Sequence, residues 1–200
     1  MKNSFFALIS RMRYIARWGL MRNTLPENIQ EHSHMVAVIA HALSVIARDK
    51  FGSDTDPNLV AAAALYHDAS EIFTGDLPSP IKYLNPNIQG AYQQIEQAAN
   101  DKLLALLPAE IRRSYAPLLT ETPPDVQRFI KTADRLSAYI KCIEELRAGN
   151  DDFLAAKEEI LASIHRNPAP ETLYFLEHCI PAFDLTLDEL DLRFSANHQI

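Results

Sequence analysis

The sequence predicts an all-α fold. Apolar residues recur at three- and four-residue spacing almost from end to end. Glycine is scarce, with five in 200 residues, and the alternation of Val, Ile and Thr that marks half-buried strands is missing. Taken in order, a first helix covers about Ser4 to Ala16, with Phe5, Leu8, Ile9, Met12 and Ile15 on one stripe. An irregular stretch follows through Trp18, Gly19 and Pro26. Asn28 and Glu31 have the spacing of a capping box, opening a helix that buries Met35, Val36, Ile39, Leu43 and Ile46 and ends near Asp49. Asp56 as N-cap and Pro57 at the first helical position open a third, alanine-rich helix that is expected to run unbroken through His67, Asp68 and Glu71 to Gly75.

Two prolines keep Asp76 to Pro80 from being helical throughout, which predicts an ordered loop there. Asn85-Pro86 opens a fourth helix to about Leu107, and Pro108 starts another that fades at Pro123-Pro124. From Asp125 to about Ala148 the positions Val126, Phe129, Ala133, Leu136, Ile140 and Ile143 describe a central core helix, stopped by Gly149-Asn150. Helices at about Asp151 to Arg166 and Pro170 to Ile180 follow, and Thr186 is placed to cap a last short one before a polar tail. No repeat or second domain is visible, so residues 1–200 are expected to form a single domain.

Composition narrows the partners. Apolar residues make up 48% and charged residues 22% of the chain, which is ordinary globular usage and excludes a disordered protein. No window approaches the roughly 18 apolar residues of a membrane span, and no secretory signal is visible. Cys142 and Cys179 are too few for a disulfide framework, which favours the cytoplasm. A net charge of −7 argues against nucleic-acid polymers, whose binding needs many phosphates neutralised, but not against a small anionic ligand or a divalent metal.

The strongest chemical signal is His67-Asp68 within an apolar, alanine-rich segment. A buried imidazole beside a buried carboxylate costs several kcal/mol unless a partner satisfies both. A cation is the simplest such partner. Successive helical residues diverge by about 100°, so other helices must add ligands. His32, in Glu31-His32-Ser33-His34, and Asp134, in Lys131-Thr132-Ala133-Asp134-Arg135, have the right chemistry and lie on other helices.

The order His32, then His67-Asp68, then Asp134 resembles the HD-domain phosphohydrolase superfamily, which implies an HD-type helical bundle with these four residues around one divalent ion. Neighbouring words sharpen the likeness: Arg17-Trp18-Gly19-Leu20-Met21-Arg22-Asn23, Tyr66-His67-Asp68-Ala69-Ser70-Glu71, Thr74-Gly75-Asp76-Leu77-Pro78-Ser79-Pro80-Ile81-Lys82 and Ala138-Tyr139-Ile140-Lys141-Cys142-Ile143-Glu144-Glu145-Leu146. These resemble the bacterial 5'-deoxynucleotidases of that superfamily over essentially the whole chain. The resemblance implies hydrolysis of deoxyribonucleoside 5'-monophosphates to nucleoside and phosphate, a transition metal with Co²⁺ preferred, and a homodimer. It also implies substrate contacts at Arg17, Trp18 and across Asp76, Leu77, Pro78 and Ser79, shared with the metal residues His32, Asp68 and Asp134.

The residues themselves are consistent with those implications. Two imidazoles and two carboxylates leave about two positions open on an octahedral ion, which suits Co²⁺, Mn²⁺, Fe²⁺ or Ni²⁺. Glu71, one helical turn after His67, is the candidate catalytic carboxylate, as general acid/base or to orient water. Arg17 fits a phosphate clamp because its fork binds phosphate bidentately, and the Trp18 indole has the bulk to reject a ribose 2'-hydroxyl. His34, His41, His165, His178 and His198 read as ordinary core or surface histidines, and Glu144, Glu145 and Asp151-Asp152 as solvated faces and helix starts. Two further functions compete: an HD-type hydrolase of nucleoside triphosphates or other nucleotides, for which the motifs carry few extra basic residues, and a non-catalytic nucleotide-binding module.

Overall fold

Local capping chemistry sets most of the helix boundaries in this computed structural model, which describes residues 3–82 and 84–190. Helix α1 is short, Phe5–Ile9, and tightens into a 3₁₀ turn over Ser10–Tyr14. Helix α2, Ile29–Phe51, begins with the complete capping box of Asn28 and Glu31 and ends at Gly52, whose φ of 73° a residue with a Cβ rarely adopts. Asp56 caps α3, Pro57–Ala64, by accepting from the Asn58 amide.

Here the fold departs from the sequence expectation, because α3 stops at Ala64. Residues 65–70 form tight turns, α4 is only Glu71–Thr74, and α5 is a single turn, Ser79–Lys82. The expected loop is therefore extended only up to Pro78. Asn85 caps α6, Pro86–Ala105, and α7 spans Ala109–Leu119. Helix α8, Pro124–Arg147, has proline at its first turn and stops before Gly149, whose φ is 80°. A 3₁₀ turn, Asp151–Phe153, leads to α9, Leu154–His165, followed by α10, Pro170–His178, and a 3₁₀ turn over Ile180–Asp184. Thr186 closes a single turn with Glu189, accepting the amides of Glu189 and Leu190. The expected polar tail with His198 lies outside the described residues.

The bundle is all-α: among the described residues the one β-type pairing is an isolated antiparallel bridge, Ala16 with Asn28. Among the described residues no helix is long and apolar enough to cross a membrane. The main core joins α2, α3, α8, α9 and α10 through Val36, Ile39, Leu43, Val60, Phe129 and Leu136. A smaller one joins α1, α6 and α7 through Phe5, Leu103, Leu107 and Leu119, and takes in Ala69. His32 and Asp134 border the first core while Ala69, next to Asp68, belongs to the second, so the polar cluster lies at the seam between them.

Candidate active site

The break after α3 is what brings the histidine and aspartate of the doublet to one point. In a continued helix the Ala64 carbonyl would accept the Asp68 amide. Instead it accepts the His67 ring, with Nδ1 2.8 Å away. The backbone tightens to i→i−3 bonds, seen in Tyr66 to Ala63, Ala69 to Tyr66, Glu71 to Asp68 and Phe73 to Ser70. The expectation of one continuous helix through Gly75 was therefore wrong, and so was the placement of Glu71 one α-helical turn along the same face.

All four predicted ligand residues converge. His67 Nε2 is 3.1 Å from Asp68 Oδ2, His32 Nε2 is 3.6 Å from that same oxygen, and His32 Nε2 is 3.0 Å from Asp134 Oδ1. One ligand atom each from His32, His67 and Asp68 falls within 4.8 Å of the others, a spacing that one ion can bridge. His32 is fully buried in α2, with the Ser137 hydroxyl of α8 3.2 Å from its Nδ1. Asp134 comes from α8 and is the exposed member, with 45% of its side chain accessible.

The chemistry of His67 tests whether a metal fits. A carbonyl only accepts, so Nδ1 carries the proton that bonds Ala64, and Nε2 is left with its lone pair. That Nε2 is buried, has no hydrogen-bond partner, and faces a carboxylate oxygen. A lone pair aimed at an anion is stable only with positive charge between them. Burial lowers the His67 pKa, but the charge and close contact of Asp68 and the charge of Asp134 overcome it and raise the value above the ordinary one, so in the metal-free protein a proton on Nε2 supplies that positive charge, in the place a cation would take. Burial pushes Asp68 up, and His67, His32 and Arg17 together hold it well below the carboxylate range. At Asp134 desolvation is likewise outweighed by the hydrogen bond and charge of His32, and the pKa is lowered. The residues present fit a divalent cation.

Glu71 behaves oppositely. Burial first, then the Asp68 and Asp76 charges, push its pKa up to about 9, and its Oε2 is buried without a partner. It is a protonated acid at neutral pH. Asp76 is also raised, by burial first, against the opposing charge of Arg17. Arg17 directs Nη1 to 3.7 Å from Asp68 Oδ2 and donates through Nε to Glu27 Oε2 at 3.0 Å. The Trp18 indole donates to the same Glu27 oxygen at 3.0 Å and lies 5.2 Å, ring to ring, from Phe153.

Of the remaining expected residues, Leu77 and Pro78 are half-buried and Ser79 is exposed. No hydrogen bond or ion pair of the described residues joins these three to the cluster. His34, His41, His165 and His178 are exposed. Glu145 corrects the expectation of a solvated face: it is fully buried, accepts the amides of Thr24 and Leu25 at 2.9 Å and the Asn150 side chain at 2.7 Å, and pairs with Lys141. Glu27, Ser137 and Lys141 were not singled out from sequence. Glu27 shows its role only when the Ala16–Asn28 bridge lays it beside Arg17, a pairing that no local pattern announces.

A cleft of about 610 Å³ opens onto His67, Asp68 and Asp134, walled by Gln93 and Asn100 of α6 and by Lys131 and Arg135 of α8. That is the size of a small-molecule site, for which roughly 300–1,000 Å³ is usual.

Comparison with known proteins agrees with this geometry. Two relatives are each 47% identical over 193 residues: a 5'-deoxynucleotidase of Vibrio parahaemolyticus, matched over 95% of this chain and 100% of that protein, and 5'-deoxynucleotidase YfbR of Escherichia coli, over 95% and 97%. Among solved structures, an HD-domain phosphohydrolase from Listeria innocua superposes with a TM-score of 0.77 at 24% identity, covering 90% of this chain and 88% of that one. The cyanophage S-2L HD phosphohydrolase DatZ, solved with dA and one catalytic Zn²⁺ ion, gives 0.61 at 22% identity over 88% and 95%. At those identities the two structures speak for the fold. The family model described as 5'-deoxynucleotidase YfbR-like matches residues 4–183, and the chain belongs to the YfbR-like 5'-deoxynucleotidase family.

Proposed function

We propose that this chain removes the 5'-phosphate from deoxyribonucleoside 5'-monophosphates, using one divalent transition metal held by His32, His67, Asp68 and Asp134. The observation that carries this reading is the buried Nε2 of His67 facing Asp68 at 3.1 Å, in a cluster that also holds Glu71, its pKa raised, and the Arg17 guanidinium. Two imidazole nitrogens and two carboxylates suit Co²⁺, Mn²⁺, Fe²⁺ or Ni²⁺, and the family resemblance puts Co²⁺ first. When bound, such an ion supplies a Lewis acid for the phosphoryl oxygens and lowers the pKa of coordinated water.

The chain's own groups account for the rest of the reaction. Arg17, tied at Nε by Glu27, has its terminal nitrogens left to clamp the phosphate. Trp18 stands beside the sugar, and Asp76 to Ser79 line the substrate's other side. As a water oxygen forms the new bond to phosphorus and the bond to O5' breaks, Glu71 delivers its proton to O5', which leaves as the nucleoside hydroxyl, and the carboxylate so formed takes up the proton that the water gives off. Burial, the first cause of the raised Glu71 pKa, favours the protonated form that this step needs.

The same proposal covers the setting. The 200 residues work as one domain, in the cytoplasm, where Cys142 and Cys179 stay as the free thiols seen here. The protein is a homodimer, as the family resemblance implies, and its mass by light scattering checks that. The deciding experiment is phosphate release from dAMP, dTMP, AMP and dATP by metal-stripped protein resupplied with Co²⁺, Mn²⁺ or Mg²⁺. Turnover confined to the deoxy monophosphates is the expected result. Release from dATP alone would point to a triphosphohydrolase, and silence on all four with metal bound would point to a non-catalytic module.

A further inference from the structure

We propose that Glu27 is the positioning residue of this site: it holds the Arg17 guanidinium and the Trp18 indole in fixed relation and thereby sets the discrimination against ribonucleotides. The inference rests on the nucleotidase reading above. One oxygen, Glu27 Oε2, accepts from Arg17 Nε at 3.0 Å and from Trp18 Nε1 at 3.0 Å. Its other oxygen lies 4.0 Å from Nδ1 of His32. The backbone reinforces this, since the Glu27 carbonyl accepts the Arg17 amide at 2.9 Å and the Ile15 carbonyl accepts the Ile29 amide at 3.0 Å. A single carboxylate thus joins the phosphate clamp and the sugar-side wall, beside a metal-binding histidine.

The need for such a tie follows from the geometry of both partners. An arginine bound at Nε cannot swing its fork, so its terminal nitrogens stay directed at the cluster. Trp18 sits at φ 60°, a left-handed conformation that a bulky residue holds only when its surroundings impose it. Here Glu27 fixes the indole nitrogen and Phe153 lies 5.2 Å from the ring. Excluding one hydroxyl group by bulk demands a wall that does not yield, and an indole released at its nitrogen can turn away. Glutamine at position 27 would keep the size and one acceptor oxygen for both donors, but without the charge that strengthens both bonds, and its NH₂ would take the place of the oxygen near His32 Nδ1.

Trp18 is the one tryptophan of the chain, so its emission anisotropy reads the indole's freedom without any turnover. Glu27→Gln, Trp18→Phe and the double variant would be compared with wild type. For Glu27→Gln we expect a cooperative melt, faster indole depolarisation, and a KM for dAMP that rises more than kcat falls. Its dAMP-to-AMP ratio of kcat/KM should drop about tenfold, the scale of one lost charge-assisted hydrogen bond. In the Trp18→Phe background the Glu27 change should lower that ratio no further, because the contact is already gone. Unchanged anisotropy and an unchanged ratio in Glu27→Gln would overturn the proposal. Were Glu27→Gln unable to fold, an unchanged ratio in Trp18→Phe would overturn it instead. Wild-type protein silent on every deoxynucleotide would sink the nucleotidase reading and the specificity role with it, whereas full activity with one common ratio in all variants sinks the Glu27 role alone.

Discussion

His32 and Asp134 stand within two long helices, of 23 and 24 residues, whereas His67 and Asp68 stand on tight turns between a helix of 8 residues and one of 4, which Glu71 opens. The long helices satisfy their own backbone and take their position from the core, so each can offer one side chain at a defined point. They cannot bring two adjacent side chains to one ion, because neighbours in an α-helix diverge by about 100°. The turn segment does so, and His67 Nε2 and Asp68 Oδ2 lie 3.1 Å apart. Regular structure places single ligands here, and a local break supplies the pair.

That contrast has its sharpest test at Asp68, whose Oδ2 is shared by His67, His32 and Arg17. Asp68→Ala should abolish both metal binding and turnover, with the helices intact by circular dichroism. Metal retained at wild-type affinity would mean that the turn is not the centre of the site. Glu71 opens the short helix that follows these turns and is assigned to proton delivery. Glu71→Ala should keep metal and nucleotide binding while turnover falls about 10²–10⁴-fold, and near-normal turnover in a stopped assay would remove Glu71 from the chemistry.

A third region is held by neither means. Residues 22–25 are tied to Glu145 and Lys141 of α8 and to Asn150 just beyond it, through bonds to the backbone of Arg22, Thr24 and Leu25. Glu145→Ala leaves Lys141 buried without its partner and should cost about 3–5 kcal/mol, read from urea melts. If the long helices place the metal ligands independently of this stretch, the folded variant keeps its metal affinity while its KM rises. An equal loss of both would show that the two regions are one unit.

Much of the fold was legible because its signals are local. The capping box at Asn28, the Asp56-Pro57 start, Asn85-Pro86 and the stop at Gly149 are each written within a few residues. Ligand identities were legible from residue chemistry and chain order. The end of α3 at Ala64 was not, since alanine-rich sequence favours continuing the helix and the break comes from the His67 ring taking the Ala64 carbonyl. Glu145 reads as one more surface charge because its amide partners are 120 and 121 residues away. Glu27 is hidden for the same reason, as its partners are set by chain pairing rather than by helix periodicity.

The smallest expected effect concerns the cost of the turn segment itself. In the metal-free protein Glu71 has a folded pKa of about 9, against 4.5 for the ordinary group. Between those values the folded chain binds a proton that the unfolded chain has released, so stability falls as pH rises. Below pH 4.5 both states are protonated and nothing is lost, while near pH 9 the penalty is complete. Glu71→Gln removes this titration and keeps the size of the side chain. Its Tm should match wild type near pH 4.5 and exceed it by a margin that widens as the pH rises to 8. A difference that grows with pH would mark the turn segment as strained by its buried acid, in contrast to the helices that carry His32 and Asp134. Parallel curves would instead mean that solvent or a neighbouring group already relieves Glu71, and that the turns carry no more strain than the helices.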